Sequence, residues 1–258
     1  MTEQEYFRSR RARRAHPDRK TLTRRRALLI TALLLLLLGG AYLAGRLLPA
    51  RDEPPWVIAI DPGHGGKDLG AVGLVNEIDL TMATARALYE LLEADPDFIP
   101  LLTHEGEGGS TKARAKTADR RRADLFLSIH GNSDPTGEGK GFECFPELPG
   151  HGRHKESLRF AKLVCRQMES ISTRMRGDGG IRYAYYDDSD TKHIVEAYAA
   201  EGIEELSFGV LENTRCPALL VEQCFVTNQE DVDAFCTEEG IRTAAEAYYR
   251  AIREYFGR

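Results

Sequence analysis

Two histidines of this 258-residue chain each come directly after a run of residues typical of a buried β-strand. His64 follows residues 57–63 (VIAIDPG), where proline and glycine stop the run abruptly. His130 follows residues 124–129 (DLFLSI). Because the carboxyl ends of strands in an open α/β sheet converge on one crevice, both imidazoles are expected at the same edge. A histidine in this position is either a metal ligand or a hydrogen-bonded loop residue.

Two glutamates are predicted near the same edge. Glu77 follows Asn76, which can cap a helix whose apolar residues recur at helical spacing up to residue 92. Glu222 ends the apolar run 217–222 (PALLVE). A catalytic zinc site uses three nitrogen or oxygen ligands and one open position for water, and a further carboxylate can move the proton of that water. Equally, Glu77 can favour a helix N-terminus and Glu222 can be an ion-pair partner.

The spacing of these four residues does not decide between the two interpretations. The first three are separated by 13 and 53 residues, which is not a compact metal motif such as HExxH. A metal site therefore depends on the fold bringing distant segments together. The other histidines, His16, His104, His151, His154 and His193, match no motif and are predicted to lie on the surface or behind the site.

Strands alternate with helices along residues 56–258, which predicts an α/β domain with a mainly parallel, twisted sheet flanked by helices on both faces. The predicted strands are 57–60, 98–103, 124–129, 141–145 and 217–222. The predicted helices begin at Asn76 and cover 111–122, 156–170 and 239–256.

The N-terminal part of the chain has a different composition. Residues 1–26 contain ten Arg or Lys and three acidic residues, whereas residues 52–258 contain 23 basic and 37 acidic residues. Residues 27–46 include an uncharged run long enough to cross a bilayer. The sequence therefore predicts a cytoplasmic arm at 1–26, one transmembrane signal-anchor helix at 27–46 and a linker at 47–55. The arginines are interpreted as topology markers, with no nucleic-acid partner.

This arrangement predicts a single-pass protein of the cell membrane whose residues 56–258 lie outside the cytoplasm. A cleaved signal peptide, which would make the protein secreted, is the alternative.

The chain has five cysteines, an odd number, and no two of them form a CxxC pair. They therefore predict buried thiols rather than a disulfide framework or a thiolate zinc site. They are Cys144, Cys165, Cys216, Cys224 and Cys236.

Four segments, in order, resemble the zinc-dependent N-acetylmuramoyl-L-alanine amidase family of cell-wall hydrolases. They are VIAIDPGHGGKDLGAVG at 57–73, NE at 76–77, ADLFLSIHGNS at 123–133 and NTRCPALLVEQCFVTN at 213–228. The resemblance extends over residues 56–257. It implies a sheet of about six strands, zinc held by His64, Glu77 and His130, and Glu222 as the catalytic glutamate.

The resemblance also implies the substrate and the reaction. The substrate is peptidoglycan, and the bond cleaved is the amide between the lactyl group of N-acetylmuramic acid and L-alanine. A zinc peptidase of related fold, or a wall-binding or regulatory module without activity, is the alternative. A protein activator is an open expectation that the sequence does not identify.

Two departures from the family pattern are small. Cys224 stands where the family commonly has glycine in ExGF, and Gly131 where it commonly has alanine in HAN. The larger departure is a stretch from Tyr185 to Phe208, read as an insertion. It contains seven acidic residues, and 191–202 is predicted to be helical. Three interpretations fit this composition. The stretch is a solvated loop, or a lid whose Glu201, Glu204 or Glu205 reaches the zinc, or one wall of the substrate groove.

Overall fold

The computed structural model describes residues 53–258 together with residues 30, 31 and 35. The predicted arm at 1–26, nearly all of the predicted membrane helix at 27–46 and most of the linker at 47–55 lie outside the described residues. Within the described part of the chain, no helix combines the length and the apolar character needed to cross a membrane.

A five-stranded sheet forms the centre of residues 53–258, in the order β2-β1-β3-β7-β4. All neighbouring strands are parallel except β4, which runs antiparallel to β7 at one edge. This mostly parallel sheet confirms the predicted class, with five strands in place of about six. The strands are β1 (Trp56–Pro62), β2 (Phe98–Leu102), β3 (Leu125–Asn132), β4 (Glu143–Pro146) and β7 (Ala218–Phe225).

The strands β5 (Tyr183–Tyr186) and β6 (Lys192–Val195) form a separate antiparallel hairpin. The helices are α1 (Glu77–Glu93), α2 (Thr111–Arg120), α3 (His154–Met168), α4 (Gly209–Asn213), α5 (Gln229–Phe235) and α6 (Glu238–Tyr255), with a short 3-10 helix at Ala197–Ala199.

Helices cover both faces of the sheet, because successive side chains of a strand point to opposite sides. The larger core lies on one face and includes Ile58, Leu127 and Val221, together with buried residues of α1, α3 and α6. The smaller core lies on the other face and includes Phe126 and Leu220. Residues of α2, α4 and the hairpin β5–β6 cover this smaller core, namely Ala118, Val210, Leu211, Ala184 and Ile194.

The predicted helix at 191–202 is wrong. Residues 192–195 form strand β6, and only Ala197–Ala199 are helical. Short helices are marginal unless tertiary contacts support them, whereas Ile194 and Val195 are β-branched and pair with the aromatic strand β5. Helices α4 and α5 were not predicted, although Asn228 caps α5 by accepting a hydrogen bond from the backbone of Asp231.

Candidate metal and catalytic site

Three side chains from separate elements meet at the carboxyl edge of β1 and β3. His64 lies in the loop after β1, Glu77 is the first residue of α1, and His130 lies in β3. Glu77 Oε1 is 3.0 Å from His64 Nε2 and 2.9 Å from His130 Nδ1. One ligand-type atom from each residue lies within 4.8 Å of the others, and the described residues contain no second group of this kind.

Backbone shape and small residues allow this convergence. The φ angle of His64 is 66°, in the left-handed region that residues other than glycine rarely adopt. A Cβ atom on Gly70 would lie 2.5 Å from Glu77 Oε2 and 2.6 Å from His64 Cδ2. A Cβ atom on Gly63 would lie 2.6 Å from the His130 ring. The two glycines therefore leave the space that the three side chains occupy.

Neighbouring groups fix the orientation of the candidate ligands. The Nδ1 atom of His64 is 2.9 Å from Asp68 Oδ2. The carboxylate of Glu77 accepts hydrogen bonds from the backbone of Ala71 at 2.8 Å and of Gly131 at 3.0 Å. Partners of this kind set the ring orientation of ligating histidines and the direction of ligating carboxylates in metal sites.

The pKa values of the candidate ligands reflect their mutual contacts. The hydrogen bond with Glu77 is the main reason that the pKa of His64 is raised to about 9, although burial acts against it. Burial acts to raise the pKa of Glu77, but the hydrogen bonds from His130 and His64 outweigh it and hold that pKa well below its usual range. Glu77 is therefore a charged carboxylate placed between two imidazoles.

Glu222 lies opposite His130 in the register of β3 and β7. Its strand runs on to Phe225, so Glu222 lies inside β7 and not at its end; likewise His130 lies within β3. The Oε2 atom of Glu222 is buried without a hydrogen-bond partner among the described residues. Burial raises the pKa of Glu222 well above its usual range, and the charge of Glu77 adds to this effect. Such an environment suits a carboxyl group that takes up a proton.

A second buried glutamate, which sequence analysis missed, lies on the other side of Glu222. Glu143 on β4 is paired in register with Glu222 and is 1% exposed. Its carboxylate accepts hydrogen bonds from Asn132, Arg176 and Arg182 at 2.6, 3.2 and 3.0 Å. An acid inside the apolar run 142–146 (FECFP) was the one sequence signal for it.

A buried cluster of charged and polar side chains positions the segment that leads to His64. Asp61, three residues before His64, is fully buried and binds Arg114 Nη1 at 2.7 Å and Ser128 Oγ at 2.7 Å. Thr103 Oγ1 also donates to Asp61. These contacts join β1 to α2, β3 and the end of β2, and they position the segment that carries His64.

The hairpin of the insertion packs beside β4, the strand that pairs with β7. Tyr186 and Lys192 are a cross-strand pair of β5 and β6, and the positive charge of Lys192 acts to lower the pKa of Glu222, against the larger effect of burial. None of the carboxylates of Glu201, Glu204 and Glu205 belongs to the candidate metal group. Among the described residues, the hairpin therefore borders the catalytic edge without supplying a metal ligand.

The chain is similar to known proteins over the whole of this fold. A family profile described as N-acetylmuramoyl-L-alanine amidase matches residues 58–254. The chain belongs to this family. The probable amidase AmiB of Haemophilus influenzae is 37% identical, over 77% of this chain and 51% of that protein. The amidase AmiC of Escherichia coli is 27% identical, over 78% of this chain and 53% of that protein.

Among solved structures, the catalytic domain of the amidase CwlV from Paenibacillus polymyxa superimposes with a TM-score of 0.62 at 26% identity. The match covers 78% of this chain and 97% of that domain. The chain thus spans about half the length of AmiB and AmiC and nearly all of a catalytic domain of the family.

Within this family fold, the four predicted site residues lie at one edge of the sheet. His64, Glu77 and His130 offer two nitrogen atoms and one oxygen atom, a ligand set that suits zinc in a catalytic site. The side chains are held in place by their own hydrogen bonds, and the glycines beside them leave room. The donor set and its geometry therefore fit the zinc that the family resemblance implies.

Proposed function

We propose that this protein hydrolyses peptidoglycan at the amide between the lactyl group of N-acetylmuramic acid and L-alanine of the stem peptide. The observation that carries the proposal is the convergence of His64, Glu77 and His130 within 4.8 Å, with Glu222 in register beside His130. Family membership supports the same activity.

Zinc would be held by His64 Nε2, Glu77 and His130 Nδ1. When bound, Zn²⁺ supplies Lewis acidity, which lowers the pKa of a coordinated water and polarises a carbonyl oxygen. Asp68 holds the imidazole of His64 from behind through Nδ1. The contacts of Glu77 with Ala71 and Gly131 hold its carboxylate toward the two histidines.

Glu222 is assigned the proton transfers. Its carboxylate takes the proton of the attacking water and delivers it to the departing nitrogen of L-alanine, because an amine leaves poorly unless it is protonated. Burial raises the pKa of Glu222, which makes its carboxylate a stronger acceptor for the proton of the water. The Oε2 atom of Glu222 has no hydrogen-bond partner among the described residues, so no fixed contact within that part of the chain competes for this carboxyl.

Residues 52–258 incubated with purified peptidoglycan and zinc test the proposal. Mass spectrometry should find stem peptides with a free N-terminal L-alanine and glycan with an intact lactyl carboxylate. Chelation should abolish both products, and added zinc should restore them. Cleavage between amino acids would instead identify a peptidase, and zinc binding without turnover would identify a module that has lost catalysis.

We further propose that residues 27–46 anchor the protein in the cytoplasmic membrane, with residues 56–258 outside the cytoplasm. The uncharged run and the basic segment before it support this topology. Recovery of the intact chain in the membrane fraction after alkaline extraction is the expected result. A chain found in the medium that begins after residue 46 would show that the segment is cleaved. A protein activator stays a prediction.

A further inference from the structure

Two buried cysteines contact each other within the larger core. Cys144 lies in β4 and Cys165 lies in α3, and their Sγ atoms are 3.5 Å apart. Cys144 is fully buried and Cys165 is 7% exposed. The sequence predicts both as buried thiols, but it gives no sign that they meet, because 21 positions separate them along the chain.

The structure around the pair holds both thiols in place. The N–H of Cys144 donates to the carbonyl of Gly180 at 2.7 Å, and the N–H of Arg182 donates to the carbonyl of Cys144 at 3.0 Å. A Cβ atom on Gly180 would lie 2.9 Å from the Sγ atom of Cys165, so this glycine leaves the space that the second thiol occupies. The two sulfur atoms are therefore kept in contact by a strand, a helix and the segment packed against both.

This contact suits a disulfide better than a metal site. A structural zinc site needs four ligands, and within the described chain the one group of three or more possible metal ligands is His64, Glu77 and His130. A disulfide needs only two sulfur atoms, about 2.0 Å apart. The thiols must therefore approach each other by roughly 1.5 Å, a movement that rotation about the two Cα–Cβ bonds can provide.

We propose that Cys144 and Cys165 form a disulfide that fixes the edge strand β4 to helix α3. The oxidant is another disulfide, of a small molecule or of an oxidoreductase. One cysteine thiolate attacks a sulfur atom of this oxidant and releases one half of it as a thiol. The second cysteine attacks the resulting mixed disulfide and releases the other half. The two cysteines thus lose two electrons and two protons, and the oxidant becomes two thiols.

The bond would strengthen the side of the sheet that carries the buried glutamates. Strand β4 lies at the edge and pairs only with β7 in the main sheet. It holds Glu143 in register with Glu222, and the disulfide would attach this strand to the helix behind it. The location proposed for residues 56–258, outside the cytoplasm, is one in which disulfides form and persist. Formation of the bond does not depend on the proposed hydrolysis.

Burial controls how fast the bond can form. Burial, together with the hydrogen bond to Cys165, raises the pKa of the Cys144 thiol well above its usual range. The thiolate is the attacking species in disulfide exchange, so the folded chain should react slowly. The bond is therefore expected to form fastest while the chain folds and both thiols are accessible.

Trypsin separates this pair from the other cysteines. Cleavage after lysine and arginine places Cys144 in peptide 141–153 and Cys165 in peptide 163–166, whereas the other three cysteines share peptide 216–242. The full chain is unfolded in urea with a reductant, refolded in detergent with oxidised and reduced glutathione, alkylated, and digested without reduction. We expect mass spectrometry to find peptide 141–153 joined to peptide 163–166. The folded full chain, incubated for days in the same glutathione mixture, is mapped in the same way and should yield the same linked peptide more slowly.

Variants assign the effect of the bond on stability. The disulfide should raise Tm by about 5–10 °C over the chain treated with a phosphine reductant, because a cross-link restricts the unfolded chain. Cys144→Ala should abolish both the linked peptide and the difference in Tm, and Cys165→Ala replaces it if that variant does not fold. Cys216→Ala is the matched control, because Cys216 is also 7% exposed; it should keep both.

Three results would overturn the proposal. Cys144 and Cys165 alkylated separately, after refolding and after the long incubation of the folded chain, would make the pair two thiols in simple contact. Peptide 141–153 joined to peptide 216–242 would give Cys144 a different partner. A linked chain whose Tm is equal to or below that of the reduced chain would show that the bond does not fit the folded structure.

Discussion

Glu222 and His130 are register partners on two adjacent parallel strands. Residues paired in this way have side chains on the same face of the sheet, so a candidate base and a candidate metal ligand are held side by side by backbone hydrogen bonds. Rigid elements position functional groups more accurately than loops do. The pair is therefore the fixed part of the site, whereas His64 depends on a loop.

Replacing Glu222 should remove turnover without removing the metal. In Glu222→Gln the side chain keeps nearly the same shape but cannot carry a proton at neutral pH. Activity should fall about 10²–10⁴-fold, the usual contribution of a general acid-base residue. Release of stem peptides measures the rate, and metal analysis should give unchanged zinc. Glu254→Gln, an exposed change in an ion pair with Arg166, is the control. Activity near that of the unmodified protein would assign the base elsewhere.

Loss of either histidine should deplete the zinc. His64→Ala and His130→Ala each remove one of three protein ligands, and a site with so few bonds should bind the metal much more weakly. Metal analysis after dialysis against a weak chelator measures the effect. His151→Ala is the control, because His151 lies near Glu212 and outside the candidate metal group. Zinc retained in both ligand variants would contradict the assignment.

Gly70→Ala should disturb the metal site by crowding its side chains, and not by touching the substrate. The new methyl group would lie 2.5 Å from Glu77 Oε2 and 2.6 Å from His64 Cδ2, which is closer than van der Waals contact, and would displace both side chains. The φ angle of Gly70 is 67°, which alone costs an L-residue about 1–2 kcal/mol. Gly257→Ala separates the two effects, since Gly257 has a φ of 73° and nothing within 4 Å of its Cβ position. Zinc content should fall in Gly70→Ala alone; equal zinc in both variants would disprove the crowding.

Asp61→Asn should destabilise the whole domain. The change leaves the buried guanidinium of Arg114 without its charged partner, and breaking a buried pair costs about 3–5 kcal/mol. Urea denaturation followed by circular dichroism measures the free energy of unfolding. Glu254→Gln breaks an exposed pair, which should cost about 0–1 kcal/mol. A loss of similar size in both variants would show that Asp61 contributes little.

The edge residues of the sheet were the predictable part of the site. Apolar runs that end in histidine predicted that His64 and His130 lie at the same edge of the sheet, and the family resemblance supplied their proposed role as metal ligands. Glu143 was not predictable in this way, because it reaches Glu222 only through antiparallel pairing of β4 with β7, whose sequence positions are far apart. The same limit applies to the hairpin. Residues 197–200 (AYAA) favour a helix locally, and only pairing with β5 makes residues 192–195 a strand.

The order of the strands in the sheet has a consequence for synthesis. His64, Glu77 and His130 lie in the loop after β1, in α1 and in β3, and all three segments have been made once residue 132 has been added. Strand β4 follows in the chain but pairs only with β7 in the main sheet. Since chains fold from the N-terminus as they emerge, β4 must wait for residues 218–225 before it has a neighbour. The segments that carry the three candidate metal ligands are therefore made, and can come together, before the segment that carries Glu222 exists.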